Sequence, residues 1–142
     1  MNREDFRVQL AKNFYLSEFI FSDFYSPLIQ KKVIEAFESD LELMQNCQAL
    51  ADNLQVLRDY LGSPISINIS YRPKFWELKQ GRSGKSQHVK AWAADIVCDD
   101  YSPAQVADAI DQLIDDGKMK EGGLGRYNSF THYDIRGFKA RW

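Results

Sequence analysis

The chain has little that would tie it to a membrane, to nucleic acid or to a disulfide framework. No apolar run approaches the roughly 20 residues needed to span a bilayer, so membrane insertion is not expected. Neither sign of charge dominates: 18 Lys and Arg stand against 20 Asp and Glu, a net charge of -2. The basic residues form no run that would track a phosphate backbone, which makes nucleic acid a poor partner. Cysteine is scarce, with Cys47 in a helical pattern and Cys98 in an apolar strand pattern. Two buried thiols in a reducing compartment fit this usage better than a disulfide. The opening residues, Met1 to Arg7, lack the apolar centre of a signal peptide, and the expectation is a protein made in the cytoplasm.

What is present is an ordinary globular composition, 44% hydrophobic and 27% charged over 142 residues. That length suits one domain, residues 1–142, which we expect to act as a monomer. Phe14 to Ser22 reads as an aromatic-rich helical turn or two, with Ser17 a possible cap and Pro27 beyond its end. From Leu28 to Leu61 apolar residues recur at helical spacing, among them Val33, Phe37, Leu41, Met44, Leu50, Leu54 and Leu57, and Gly62 supplies a stop. This is one long helix or two joined near Asn46. Ile65, Ile67 and Ile69 alternate with polar residues as in a half-buried strand. Pro73 to Gln87, with Gly81 and Gly84, reads as a mobile loop leading to His88. Ala93 to Cys98 forms a second strand with Asp95 as an intruder. Ser102-Pro103-Ala104-Gln105 marks a helix start, and Gly117 the end of that helix. Gly122 to Tyr127 and Phe130 to Ile135 then read as a hairpin turned at Asn128-Ser129. The expected fold class is α+β, with several helices packed on a small antiparallel sheet.

Histidine is as scarce as cysteine, yet both copies, His88 and His132, lie close in sequence to an aspartate in or beside a strand. A catalytic zinc site typically uses three protein ligands, such as two His and a carboxylate, and keeps a position open for water. His88, Asp95 and His132 supply such a set. Strand alternation puts His132 and Asp134 on one face, and turns Cys98 away from Asp95.

The ordered set Ser70-Tyr71-Arg72, Ser86-Gln87-His88, Asp95 after six intervening residues, Gly122-Gly123-Leu124-Gly125-Arg126-Tyr127, Phe130-Thr131-His132-Tyr133-Asp134-Ile135-Arg136 and the terminal Arg141-Trp142 resembles the zinc D-Ala-D-Ala carboxypeptidase and peptidoglycan endopeptidase family, the Hedgehog-like or LAS-type metallopeptidases. The resemblance runs over roughly residues 14 to 142. It implies a small sheet carrying a single zinc ion held by His88, Asp95 and His132, and hydrolysis of peptidoglycan stem peptides by a metal-activated water. Arg72 would bind substrate or balance charge on the carbonyl oxygen, and Ser86 and Tyr71 would contact substrate. Some branches place an acidic base three residues before the last histidine, where this chain has Ser129. Asp134 then becomes the expected proton acceptor, the alternative being that it orients His132 or pairs with Arg136. Ala91, where many relatives have glycine, and Trp92 are further departures. Ser86 could instead cap a turn, and Trp76, Trp92 and Tyr127 could line a groove or fill the core.

The lack of a leader favours a phage-type lysin released at lysis or carried by the virion over a resident periplasmic enzyme. A rival expectation is a non-catalytic, zinc-containing module of the same fold that binds cell wall.

Overall fold

The computed structural model describes residues 2–142. The sequence between Leu28 and Leu61 forms two helices, α2 (Pro27–Glu38) and α3 (Glu42–Leu61). The break falls at residues 39–41 rather than at Asn46. Ser39 turns its hydroxyl back to the Ala36 carbonyl, and the Asp40 carboxylate accepts from the Glu42 amide at 3.0 Å, so local side-chain bonds end one helix and start the next. The interruption rotates the buried face. Leu41 and Met44 are exposed, whereas Leu43, Cys47, Leu50, Ala51, Leu54, Leu57 and Leu61 form the buried stripe of α3. Gly62 closes α3 in the left-handed conformation, φ 64°, with its amide bonded to the Arg58 carbonyl.

Before these helices the chain forms a two-stranded ribbon, β1 (Gln9–Ala11) and β2 (Phe14–Tyr15), and a short helix α1 (Ser17–Ile20). Ser17 is the first helical residue and not a cap; Leu16 occupies the cap position. Phe14, Phe19 and Ile20 are core residues. The cap missed in the sequence is Ser26, which accepts from the Ile29 amide ahead of Pro27 at the start of α2.

Five strands build the main sheet: β3 (Ile65–Ile69), β4 (Ala93–Cys98), β5 (Gly123–Arg126), β6 (Thr131–Asp134) and β7 (Ala140–Arg141). Their spatial order is β3-β4-β6-β5-β7. The sheet is mixed rather than wholly antiparallel, because the chain end lays β7 parallel to β5. Arg141 fixes that strand by bonds to Asp111, Glu121 and the Gly122 carbonyl. The segment expected as a mobile loop contains a helix, α4 (Lys74–Lys79), and a 3-10 turn, Gln87–Lys90. The last helix, α5 (Pro103–Asp115), opens with the reciprocal Ser102–Gln105 capping box read from the sequence.

The hydrophobic core lies between the helices and one face of the sheet, and draws on residues from Phe6 to Ile135. Both cysteines are free and buried within it. No helix among the described residues is long and apolar enough to cross a membrane.

Leu54→Ala should cost about 2–5 kcal/mol in urea unfolding, because its side chain is fully enclosed. Leu41→Ala should stay within about 0.5 kcal/mol, since its side chain is in water. The Cys47 thiol, pushed up to about 12 by burial, should resist a thiol reagent at about pH 8 in the native protein and react only after denaturation.

Candidate metal centre

Asp95 on β4 lies directly opposite His132 on β6 in the antiparallel register. Opposed residues point to the same face with Cβ atoms about 5 Å apart, so strand pairing alone brings these side chains together. His88 reaches the same place from the 3-10 turn before β4. Ala91 ends that turn at φ 57°, a left-handed conformation that costs a residue with a Cβ about 1–2 kcal/mol. The turn is tied down by the end of β3: the Arg72 amide donates to the His88 carbonyl at 3.1 Å. The Ser70 hydroxyl donates to the Ala93 carbonyl at 2.7 Å.

Each imidazole points one ring nitrogen at Asp95 because its other nitrogen is engaged elsewhere. His88 Nδ1 donates to the Ser70 carbonyl at 2.7 Å, which leaves Nε2 facing Asp95 Oδ1 at 3.4 Å. His132 Nε2 donates to Asp134 Oδ2 at 2.7 Å, and its Nδ1 stands 3.1 Å from the same Asp95 oxygen. One ligand atom from each of the three residues lies within 4.8 Å of the others. Donors arranged tetrahedrally at about 2.0–2.1 Å from a zinc ion are separated by roughly 3.3 Å, close to the 3.4 and 3.1 Å between the two imidazole nitrogens and Asp95 Oδ1. The outer partners Ser70 and Asp134 are of the kind that fix tautomer and ring orientation in zinc sites. The residues fit a divalent ion.

The electrostatics favour the ligating forms of His88 and Asp95, while His132 holds a proton that a metal ion would have to displace. Burial lowers the His88 pKa against the opposing pull of Asp95, favouring the neutral form that ligates. Burial also opposes ionisation of Asp95, but the bonds to His132 and His88 outweigh it and hold the carboxyl below its ordinary range. For His132 burial works against the charge, and the bonds to Asp134 and Asp95 reverse it and raise the pKa.

Asp134 meets a different environment from that expected of a proton acceptor facing substrate. It has no exposed surface. Its Oδ1 accepts from the Gly123 amide and from Arg136 Nε and amide, and Oδ2 accepts from His132 and Arg136 Nη2. Both oxygens are therefore occupied, and the carboxylate is placed to orient His132. The same packing explains two of the glycines in the Gly122-Gly123-Leu124-Gly125 motif. A Cβ at Gly123 would run into the Asp134 carboxylate, and one at Gly125 would lie 2.7 Å from the Trp142 indole nitrogen.

A cleft of about 480 Å³ opens over His88, Asp95 and His132. Arg72, Arg82, Lys85 and Arg136 line it, with Asp95 the one acid among its described lining residues. Tyr127, Phe130 and Trp142 form an aromatic side, where Tyr127 stacks on Phe130 and the Trp142 ring lies 4.9 Å from that of His132. Of the substrate-contact expectations, Arg72 and Ser86 line the cleft. Tyr71 does not: its ring is buried edge-on to Phe37 in the core, and its carbonyl accepts from the Tyr25 hydroxyl. Tyr127 belongs to the cleft, whereas Trp76 packs against Tyr25 and Trp92 lies under the Lys90 ammonium.

Sequence reasoning missed Glu77 and gave no role to Ser70 and Trp142, although both lie in the motifs of the resemblance. Glu77 sits among Lys and Arg residues and looks like a solvated charge; yet it is fully buried, accepts from the Ser86 hydroxyl and lies 3.2 Å from Arg72 Nε. Only a helical reading of residues 74–79 could have turned it inward.

Two imidazoles and a carboxylate at the floor of an open, cation-lined cleft define a mononuclear metal site of the hydrolytic kind. Residues 27–134 match the model of the family Peptidase M15, and the chain belongs to that family of metallopeptidases. A search of curated proteins finds no match.

Asp134→Asn should weaken zinc binding by about 10- to 100-fold, measured by competition with a chromophoric chelator, because the amide no longer anchors the His132 tautomer. An affinity unchanged from wild type would show that Asp134 does not orient the ligand.

Proposed function

We propose that one zinc ion, held by His88 Nε2, an Asp95 oxygen and His132 Nδ1, serves a peptidase that hydrolyses the stem peptides of bacterial peptidoglycan. Its action would be that of a D-Ala-D-Ala carboxypeptidase or of an endolysin-type endopeptidase. The observation that carries the proposal is the convergence of these three donors, each imidazole fixed by an outer partner, on the floor of an accessible cleft.

Zinc bound there would supply Lewis acidity, polarising the scissile carbonyl and making water a nucleophile near neutral pH. The protein supplies the rest. Arg72 faces the cleft beside His88 and balances negative charge developing on the carbonyl oxygen. Ser86 offers a hydroxyl to the bound peptide, and Asp134 keeps His132 in the orientation that leaves Nδ1 free. The excess of cationic side chains around the cleft suits a peptide bearing carboxylates. Release at phage lysis, or carriage by the virion, is the setting we propose for a single domain acting as a monomer.

Zinc-loaded protein incubated with peptidoglycan fragments should generate new amines detectable by mass spectrometry, and His132→Ala should bring them to background. Equal spectra for the two proteins would overturn the proposal. The seclusion of Asp134 and the lack of another acid among the described cleft residues besides Asp95 support a second reading, a zinc-containing module that binds wall material without cutting it. Retention on insoluble peptidoglycan with no bond cleaved would favour that module.

A further inference from the structure

Among the described residues, Glu77 is the one fully buried carboxylate that the metal centre does not use. It projects from α4 and has no exposed surface. Oε2 takes the Ser86 hydroxyl and lies 3.2 Å from Arg72 Nε, and Oε1 has no hydrogen-bond partner among the described residues. Arg72 Nε is close enough for ion pairing but poorly aligned for a hydrogen bond, so the contact is chiefly electrostatic. Burying a carboxylate is costly unless a cation compensates it, and here the compensating cation is itself buried, at 7% exposure. Loss of the Arg72 charge would strand Glu77, while Arg72 is drawn to Asp95 as well.

Both partners of Glu77 line the cleft. The guanidinium is a rigid planar fork, and the attraction of Nε to the buried Glu77 carboxylate keeps its charged end beside the cleft. Ser86 stands two residues before His88, and engaging its hydroxyl on Glu77 fixes the rotamer it presents to the cleft. α4 has only six residues, too few to be a stable helix by itself, so its place depends on such tertiary ties.

We propose that Glu77 is a positioning residue for the hydrolytic site: through one buried carboxylate it sets both Arg72 and Ser86 in the cleft and fastens α4 to the metal-bearing turn. This rests on the peptidase reading for its catalytic consequence, but not for the anchoring itself.

The test compares zinc-loaded wild type with Glu77→Gln, which keeps the shape and loses the charge. Four quantities are read: thermal midpoint, zinc affinity, hydrolysis of peptidoglycan fragments, and the order parameter of the Arg72 Nε–H group by nitrogen-15 relaxation. In wild type that order parameter should approach the rigid-backbone value of about 0.85, and in Glu77→Gln it should fall below about 0.6. Zinc affinity should stay within about twofold, and kcat/KM should drop roughly 10- to 100-fold, the scale of losing one hydrogen-bonded charge. A merely structural role would lower the midpoint and leave kcat/KM and the order parameter of the folded protein unchanged; that result overturns the proposal. Should Glu77→Gln not fold, Glu77→Asp keeps the charge but is one methylene too short to hold both partners. The same losses are expected of it, and wild-type values for it would equally overturn the proposal. A wild type that cuts nothing sinks the peptidase reading, while the Arg72 order parameter still decides the anchoring.

Discussion

The metal centre depends on the register of a single antiparallel pair. β4 and β6 are aligned so that Asp95 faces His132 and Ala93 faces Asp134, all on one side of the sheet. A slip of one residue would send each side chain through the sheet to the opposite face. The core holds the register in place from behind. Ala94 and Tyr133 are opposed on the apolar face, both fully buried, and the Tyr133 hydroxyl is fixed by the Lys120 carbonyl. Thr131 is fastened to the Pro103 carbonyl at the start of α5. The apolar face thus decides where the polar face puts its ligands.

A second constraint is the handling of buried acid. Asp95, Asp134 and Glu77 are withdrawn from water to differing degrees, and each is matched to positive charge or to several donors. Asp134 has Arg136, His132 and a backbone amide, and Glu77 has Arg72 and Ser86. Asp95 touches the two imidazoles and feels the Arg72 charge from further away. Its contact partners can compensate it only with a proton at His132 or a cation between the three side chains. Proton and metal compete for the same lone pair, which couples occupancy of the site to pH and to folding stability.

The parts of this arrangement carried by local rules were legible in the sequence. Strand alternation put His132 and Asp134 on one face, the capping box at Ser102 located α5, and the scarcity of histidine drew attention to both ligands. Features set by contacts distant in sequence were not legible. The break at residues 39–41 depends on side-chain bonds of Ser39 and Asp40 that compete weakly with a helix, and periodicity alone ran through it. Asp134 has the spacing of a proton acceptor, but its enclosure by Gly123 and Arg136 follows from how β5 and the chain after β6 pack around it. Tyr71 shares a motif with Arg72, yet adjacent residues leave the end of a strand in opposite directions, one into the core and one into the cleft.

The cleft accordingly has two walls of different physical character. Two of the ligands, Asp95 and His132, stand on central strands, where a change in one side chain is resisted by the whole sheet, and His88 stands on the turn before them. The facing wall, from Arg72 through α4 to Ser86, is held by the Glu77 contacts and by backbone bonds such as that from the Arg82 amide to the Glu77 carbonyl. Its cations Arg82 and Lys85 are exposed and line the cleft. Neither Arg82 nor Lys85 belongs to the ligand cluster, so the charge of this wall and the metal ligands are carried by different residues. The third side comes from the chain end, where β7 brings Trp142 against His132 and its indole donates to the Tyr127 hydroxyl. The final residue thereby shields one flank of the ligand cluster from water, and the parallel pairing of β7 with β5 is what carries it there.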